Sequence, residues 1–443
     1  MAPDGASPQS LNSRWVSVID WVLFGLGMFI VIFIPKTIAG DARLRFEALE
    51  IFMRTGQLVS PKYSMVGPLL SAPLYALGQA FAAPKLVTSY FNTVLFVWLL
   101  AFAWREFRVE LQVRTRRTLL ILLVFASMFL HHAQRYYGEV FTTVLVTLGV
   151  FWISRGSAKR GWAAIILGAV NTPACLLAVA GIALCHARKS RSVWPLLGPL
   201  IAFACMRLES FCVRGQLFDT GYNYDAGFRN ALPYAGLPNF SYPFFFGLLS
   251  ILFSFGKGLV FFVPGLFLPL PKFAPARFRW VHATLMVYVV GLVLTYAKWW
   301  SWYGGWFWGP RFFLVASIPA SLSLAIHVAH WRELAPTRRA LACGALLLSF
   351  WVGANGLAFQ GLGLELCTAN HFALAEYCYY VPEMSVLWHP FVDGAASIPE
   401  KLRPVSFVAV GLWAIAAIWV GRELLLDLAG RSLRYGLRWR EWW

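Results

Sequence analysis

The chain has 443 residues, of which 59% are hydrophobic and 13% charged, with 38 Lys and Arg against 20 Asp and Glu for a net charge of +18. A soluble domain carries about 25% charged residues, so this composition excludes an ordinary water-covered globule. The basic excess falls between apolar runs and forms no stripe interleaved with exposed aromatics, which excludes nucleic acid as the expected partner and points to membrane lipids.

Only helices or closed barrels satisfy every backbone hydrogen bond in lipid. The apolar runs here are continuous rather than alternating, so the sequence predicts an all-α polytopic membrane protein, a single membrane domain over 1–443. The first run follows Trp15 without a small-residue cleavage site, and it reads as a retained span over 15–38. Residues 39–85 then form an outer segment. Within it, DARLRFEALEIFMRTGQL mixes apolar and charged positions as an interfacial helix does, and 66–82, interrupted by Pro68 and Pro73, reads as a shallow re-entrant or surface helix.

Further spans are predicted at 86–104, 118–131, 138–153, 193–209, 245–269, 280–298, 311–329, 340–358 and 404–421. Residues 162–185 are apolar but broken by Asn171-Thr172-Pro173, giving one kinked span or a hairpin of two short helices. Basic residues decide in favour of the hairpin. Arg105 to Arg117, Arg155 to Arg160, Lys272 to Arg279, Arg332 to Arg339 and the tail from Arg422 share one side. Arg188, Lys189 and Arg191 join them only if 162–185 crosses twice. The expectation is about twelve crossings, with both termini and a basic tail at 422–443 in the cytoplasm. Outer segments are expected at 39–85, 210–244 and 359–403, and within the last Cys367 and Cys378 can pair if it meets an oxidising compartment.

Polar residues gather at the outer ends. Asp41 follows the first span directly; it can accept a proton from an attacking hydroxyl or simply cap the helix behind it. Arg43, Arg45, Lys62 and Tyr63 lie close by in sequence, the cations suited to a phosphate. The turn HHAQRYYGEVF holds His131, His132, Arg135 and Glu139. Adjacent histidines on a helix diverge by about 100°, so they do not chelate a metal alone; Glu139 can complete such a site or pair with Arg135 at i,i+4, and Arg135 and Glu139 are also the candidates for shaping the site or contacting substrate. Tyr222, Tyr224 and Asp225 follow in the next outer segment, and Lys257 sits between two glycines inside the predicted span 245–269. A lysine at that depth must pair, snorkel or meet a polar cavity. The run WWSWYGGWFWGPRFF carries five tryptophans, Trp306 among them, with two glycine turns and Arg311 opening the next helix. An aromatic belt does not need those turns, so this reads as a functional loop. His389 lies in the last outer segment.

Three stretches carry a family resemblance: GDARLRFEALEIFMRTGQLVSPKYSMVGPLLSAPLYALG; FDTGYNYDAG with GLLSILFSFGKGLVFFVPGLFL; and WWSWYGGWFWGPRFFLVASIPASLSLA. Over much of 15–330 the chain resembles bacterial polyprenyl-phosphate-dependent glycosyltransferases of the GT-C superfamily, the dolichyl-phosphate-mannose and aminoarabinose transferase relatives in particular. It departs from them at Ala42, where Glu is frequent, and at Phe255, where Pro is frequent. The resemblance implies a GT-C-like membrane fold in a bacterial inner membrane. It also implies an inverting transfer from a polyprenyl-phosphate sugar donor to a glycan, lipid or protein acceptor of the cell envelope. Asp41 would be the general base and Arg311 the leading phosphate ligand. Some relatives use a divalent metal and others none, so a metal stays open. A transporter or lipid flippase is the competing class, and it predicts a polar path through both leaflets.

Overall fold

A computed structural model describes residues 8–440 apart from 224–225, 231, 306, 360–363, 395–397, 399 and 401–402. The chain is 72% helix, with no strand among the described residues. Its helices are α1 Pro8–Phe33, α2 Asp41–Thr55, α3 Val66–Ala80, α4 Pro84–Ser89, α5 Phe91–Glu106, α6 Val113–Phe125, α7 Phe129–Ala133, α8 Gly138–Ser154, α9 Ala158–Asn171 and α10 Leu176–Ser190. They continue as α11 Leu197–Arg214, α12 Phe244–Phe253, α13 Leu259–Phe262, α14 Ala276–Tyr296, α15 Ser317–Ala329, α16 Pro336–Ala358, α17 Leu364–Phe372, α18 Tyr377–Tyr380, α19 Pro390–Asp393 and α20 Arg403–Arg440. Among the described residues, seven helical segments are long and apolar enough to cross a membrane. The chain is a polytopic helical membrane protein.

Ion pairs show which helix ends lie together. At one end, Arg277 reaches Glu106, Glu110 and Ser154. Arg155 pairs with Glu106 at 3.0 Å, and Lys189 donates to Ser154 O at 3.3 Å. Arg117 donates to Asp20 at 2.9 Å, Arg114 to Glu423 at 2.6 Å and Arg339 to Asp427 at 2.8 Å. The basic turns predicted to share a side therefore do so, and the start of α1 and the Glu423–Asp427 part of α20 lie there as well. Glu106 is fully buried and faces two arginines, Arg155 and Arg277.

Residues 162–185 fold as the hairpin. Trp162 near the start of α9 donates its indole N–H to His186 near the end of α10, 3.0 Å away, which requires the two helices to run antiparallel. Helix α3 stays at the opposite end. Its first turn is held where Met65 N donates to Glu209 Oε1 at 2.9 Å, its middle packs Tyr75 against Phe46 of α2 at 5.9 Å, and Gly78 abuts Pro84.

Two expectations are corrected. The segment 245–269 is no continuous helix: α12 stops at Phe253, a turn follows, and only α13 and a short 3-10 piece, Pro264–Phe267, continue. Ser254 is extended at φ −64°, ψ 139°, and Gly256 N donates to Tyr379 O at 3.0 Å, so the turn docks onto α18 instead of propagating the helix. The span predicted at 118–131 also breaks, α6 ending at Phe125 where Ser127 Oγ accepts from Phe129 N at 3.1 Å before α7 begins. Such local side-chain acceptors compete with the helical ladder. Helix α20 continues into the basic tail as far as Arg440. Cys367 and Cys378 form a disulfide, with Cα atoms 5.8 Å apart.

Candidate functional site

The site lies at the end opposite the basic rim, where α1 gives way to α2. Gly40 precedes α2 with φ +58°, and a Cβ there would come within 3.0 Å of Phe307. A glycine suits that left-handed, crowded position because it has no side chain to clash. The tight entry makes Asp41 the first helical residue. Its carboxylate meets Arg311, whose Nη2 donates to Asp41 Oδ2 at 2.6 Å. Arg311 Nε lies 3.6 Å from Glu139 Oε1 in the first turn of α8. Segments 270 residues apart in sequence meet in this contact.

Only 8% of the Arg311 side chain is exposed, against 25% for Asp41 and 14% for Glu139. The guanidinium is also surrounded by ring faces, with Phe307 at 4.6 Å, Tyr137 at 5.2 Å and Phe312 at 5.3 Å from its centre. A guanidinium is more weakly hydrated than an ammonium and tolerates such an enclosure. Burial raises the Asp41 pKa, but Arg311, a hydrogen bond from Tyr63 and the charge of Arg45 together outweigh it and hold the carboxyl below its ordinary 3.8. The Tyr63 hydroxyl is pushed up by burial and then by the Asp41 charge, so it stays protonated and donates.

Arg45, one turn along α2 from Asp41, is 9% exposed and has no carboxylate within ion-pair distance among the described residues. Its centre sits 4.5 Å over the Tyr63 ring, and Nη1 reaches Asn171 Oδ1 only at 3.5 Å. Asn171 was read from sequence merely as part of a helix break. It donates to Gly138 O at 2.9 Å and Thr142 Oγ1 at 3.0 Å, joining the end of α9 to the start of α8. A Cβ on Gly138 would stand 2.8 Å from both Arg45 Nη2 and Asn171 Nδ2, so a side chain there would push these two groups aside. Lys62 lies 5.0 Å over the Tyr222 ring, and Tyr222 packs edge-on against Tyr63 at 6.1 Å.

Lys257 is brought to the same end, not to mid-membrane depth. It is 4% exposed, and its ammonium donates to the carbonyls of Gly305 at 3.2 Å, Gly309 at 3.0 Å and Phe307. An ammonium has three donors, and all three are spent on the turn that carries Phe307 and leads into Arg311. Lys257 is thus a loop clamp. Trp308, in the same turn, is buried and donates to Asn355 Oδ1 at 2.7 Å, fixing the loop to α16.

The remaining candidates are placed apart. Arg43 faces outward and pairs with Glu47 at 2.6 Å along the exposed side of α2. Arg135 donates to Thr37 Oγ1 at 2.5 Å, tying the end of α1 to the turn before α8. His389 bonds Glu383 O at 2.6 Å within its own loop. Tyr224, Asp225 and Trp306 lie outside the described residues. His131 and His132 are buried with rings almost perpendicular at 88°, and no group of three or more His, Cys, Asp or Glu able to hold a metal occurs among the described residues. Sequence reading missed Tyr137 and Asn171; the signal available for Asn171 was an amide at a proline break in an otherwise apolar run.

The geometry therefore joins Asp41, Arg45, Tyr63, Glu139, Tyr222 and Arg311 into one polar cluster, with Lys62 at its side and Lys257 behind it. No protein-family model, curated protein or solved structure matches the chain.

Proposed function

We propose that the protein is an inverting membrane glycosyltransferase that moves a sugar from a polyprenyl-phosphate donor to a cell-envelope acceptor. In this reading the fold is GT-C-like, each passage between the two ends is a crossing, and the total is about twelve. The basic rim faces the cytoplasm of a bacterial cell, and the cluster faces the outer leaflet of the inner membrane.

The observation that carries the reading is a partly buried carboxylate, Asp41, beside a buried cation, Arg45, that has no carboxylate of its own among the described residues. Arg311 already engages Asp41 and Glu139, so the leaving phosphate is assigned to Arg45, with Lys62 beside it. A guanidinium this enclosed is costly until an anion joins it. A mostly apolar groove of about 330 Å³ runs alongside, lined by Val66, Ile166, Leu167, Val170 and Leu208, with Glu209, held by Met65 N and Arg214, also in its wall. Asn171 connects the two: it touches Arg45, follows Val170 in sequence and abuts Gly67. A hydrocarbon chain in the groove would bring its phosphate to Arg45.

The reaction is a single displacement. The acceptor oxygen forms a bond to the anomeric carbon as the bond from that carbon to the phosphate oxygen breaks. The hydroxyl proton passes to Asp41, and polyprenyl phosphate leaves with its negative charge stabilised by Arg45. Arg311 holds the Asp41 carboxylate ionised and oriented. The test is incubation of purified protein with a panel of polyprenyl-phosphate sugars and envelope acceptors. Product should form and should collapse in Asp41→Asn; full activity in that variant removes Asp41 as the base.

A further inference from the structure

Beside the cluster is a second concavity whose chemistry differs. It is a cleft between the 227–242 segment, the Trp300–Tyr303 turn and α18, walled by Phe228, Tyr234, Trp300, Trp302, Tyr303 and Tyr380. Its free volume is about 410 Å³ counted out to open solvent, of which about 40 Å³ admits the centre of a water molecule. It is therefore shallow: it can seat one face or edge of a ring, not swallow a ligand whole. No charged side chain lines it.

Rings meet at steep angles along the walls. Trp302 stands 5.8 Å from Tyr303 at 89°, and Trp300 stands 6.2 Å from Tyr303 at 75°. Behind them runs a chain of hydroxyls: Ser250 to Tyr380 at 2.8 Å, Tyr380 to Tyr242 at 2.9 Å and Tyr242 to Tyr234 at 3.3 Å. Each hydroxyl is donor and acceptor and can re-aim its proton. The indole N–H of Trp300 is buried with no acceptor among the described residues. Such a donor is costly until something accepts from it.

We infer that this cleft binds a neutral saccharide, one pyranose unit of the acceptor glycan. Aromatic faces cover the C–H face of a sugar ring, the hydroxyl chain exchanges hydrogen bonds with its rim, and the Trp300 N–H finds its acceptor in a sugar oxygen. The absence of charge from the lining disfavours a phosphate or an acidic peptide. The cleft adjoins the cluster through packed side chains: Tyr222 packs on Trp299 at 5.8 Å, Trp299 neighbours Trp300 at 6.3 Å, and Gly304, next to Tyr303, lies against the Arg311 side chain. An acceptor held here would reach towards Asp41. The acceptor role rests on the transferase reading; the saccharide site itself does not.

The test measures binding without any donor lipid. Purified full-length protein in nanodiscs is titrated with methyl glycosides of glucose, galactose, mannose, rhamnose and N-acetylglucosamine, and separately with choline, following tryptophan fluorescence and saturation-transfer NMR. At least one glycoside should bind saturably. Trp300→Phe keeps a ring but loses the N–H, and Tyr380→Phe breaks the hydroxyl chain; each should weaken binding about fivefold, the size of one hydrogen bond. Using both variants guards against one that fails to fold. The inference is overturned if no glycoside binds, if both folded variants bind as wild type does, or if choline binds in their place, as an aromatic cation cage would require. A protein that consumes donor lipid yet binds no glycoside defeats only the cleft. One that binds glycosides but never consumes donor defeats only the transferase.

Discussion

Replacing Arg311 by Met tests the centre of the site directly. Removal of one member of a buried ion pair costs about 3–5 kcal/mol, because the other charge is left without compensation. Asp41 keeps 25% of its side chain exposed, which lets water recover part of that loss, so about 2–3 kcal/mol is expected. Unfolding entropy of about 2.1 cal/mol/K per residue over 443 residues gives close to 1 °C per kcal/mol, hence a fall of about 2–3 °C in the midpoint in detergent. The informative quantity is the coupling. In an Asp41→Asn background the same substitution leaves one fewer stranded carboxylate, so it should cost about 1–2 kcal/mol less. The assay is thermal unfolding of wild type, both single variants and the double variant in one detergent. Strict additivity of the two substitutions would refute the pairing and with it the view that Arg311 is occupied by Asp41 in the resting protein.

Asp41 has a depressed pKa, so its contribution to stability is complete above the unfolded value of 3.8 and is lost as pH falls through the lower folded value. Transfer should therefore show no acid limb from Asp41 between pH 5 and 7, about a unit or more above that range; a limb near 6 that vanishes in Asp41→Asn would contradict this. Lys257→Met should leave three carbonyls without their donor and loosen the 305–309 turn, cutting activity at least about tenfold and raising proteolysis of the tryptophan loop. Gly138→Ala should displace Arg45 and weaken donor binding about tenfold with a smaller effect on stability, measured by lipid-donor titration. Non-reducing peptide mass spectrometry should recover Cys367 and Cys378 in one linked species that separates on reduction.

The two-ended plan was legible because charge and apolar length are summed over many residues. Misplacing one arginine among Arg114, Arg155, Lys189, Arg277 and Arg339 would not have changed which turns lie together. The Asp41 neighbourhood was legible for a different reason: an acidic residue just past an apolar run, followed by an amphipathic stretch, leaves few places for its carboxylate. The path of 245–269 was not legible. Its composition is that of a membrane helix throughout, and the break at Ser254 depends on Gly256 docking onto Tyr379, over a hundred residues away. Lys257 could not be assigned from sequence for the same reason, since its three acceptors belong to a turn about fifty residues on.

In the proposed transferase, the choice of Arg45 over Arg311 as the phosphate seat follows from charge balance. Two carboxylates, Asp41 and Glu139, flank Arg311 in a nearly closed pocket of rings, so a phosphate placed there would bring a third negative group against them. It would also have to displace a 2.6 Å hydrogen bond. Arg45 has no such rival: its nearest polar partner is an amide at 3.5 Å, and its other face rests on Tyr63. An anion arriving at Arg45 pairs a buried cation without unpairing another. In the proposed transferase the same asymmetry divides the work, since Arg311, which does most to keep Asp41 ionised, is not the arginine that releases the product phosphate.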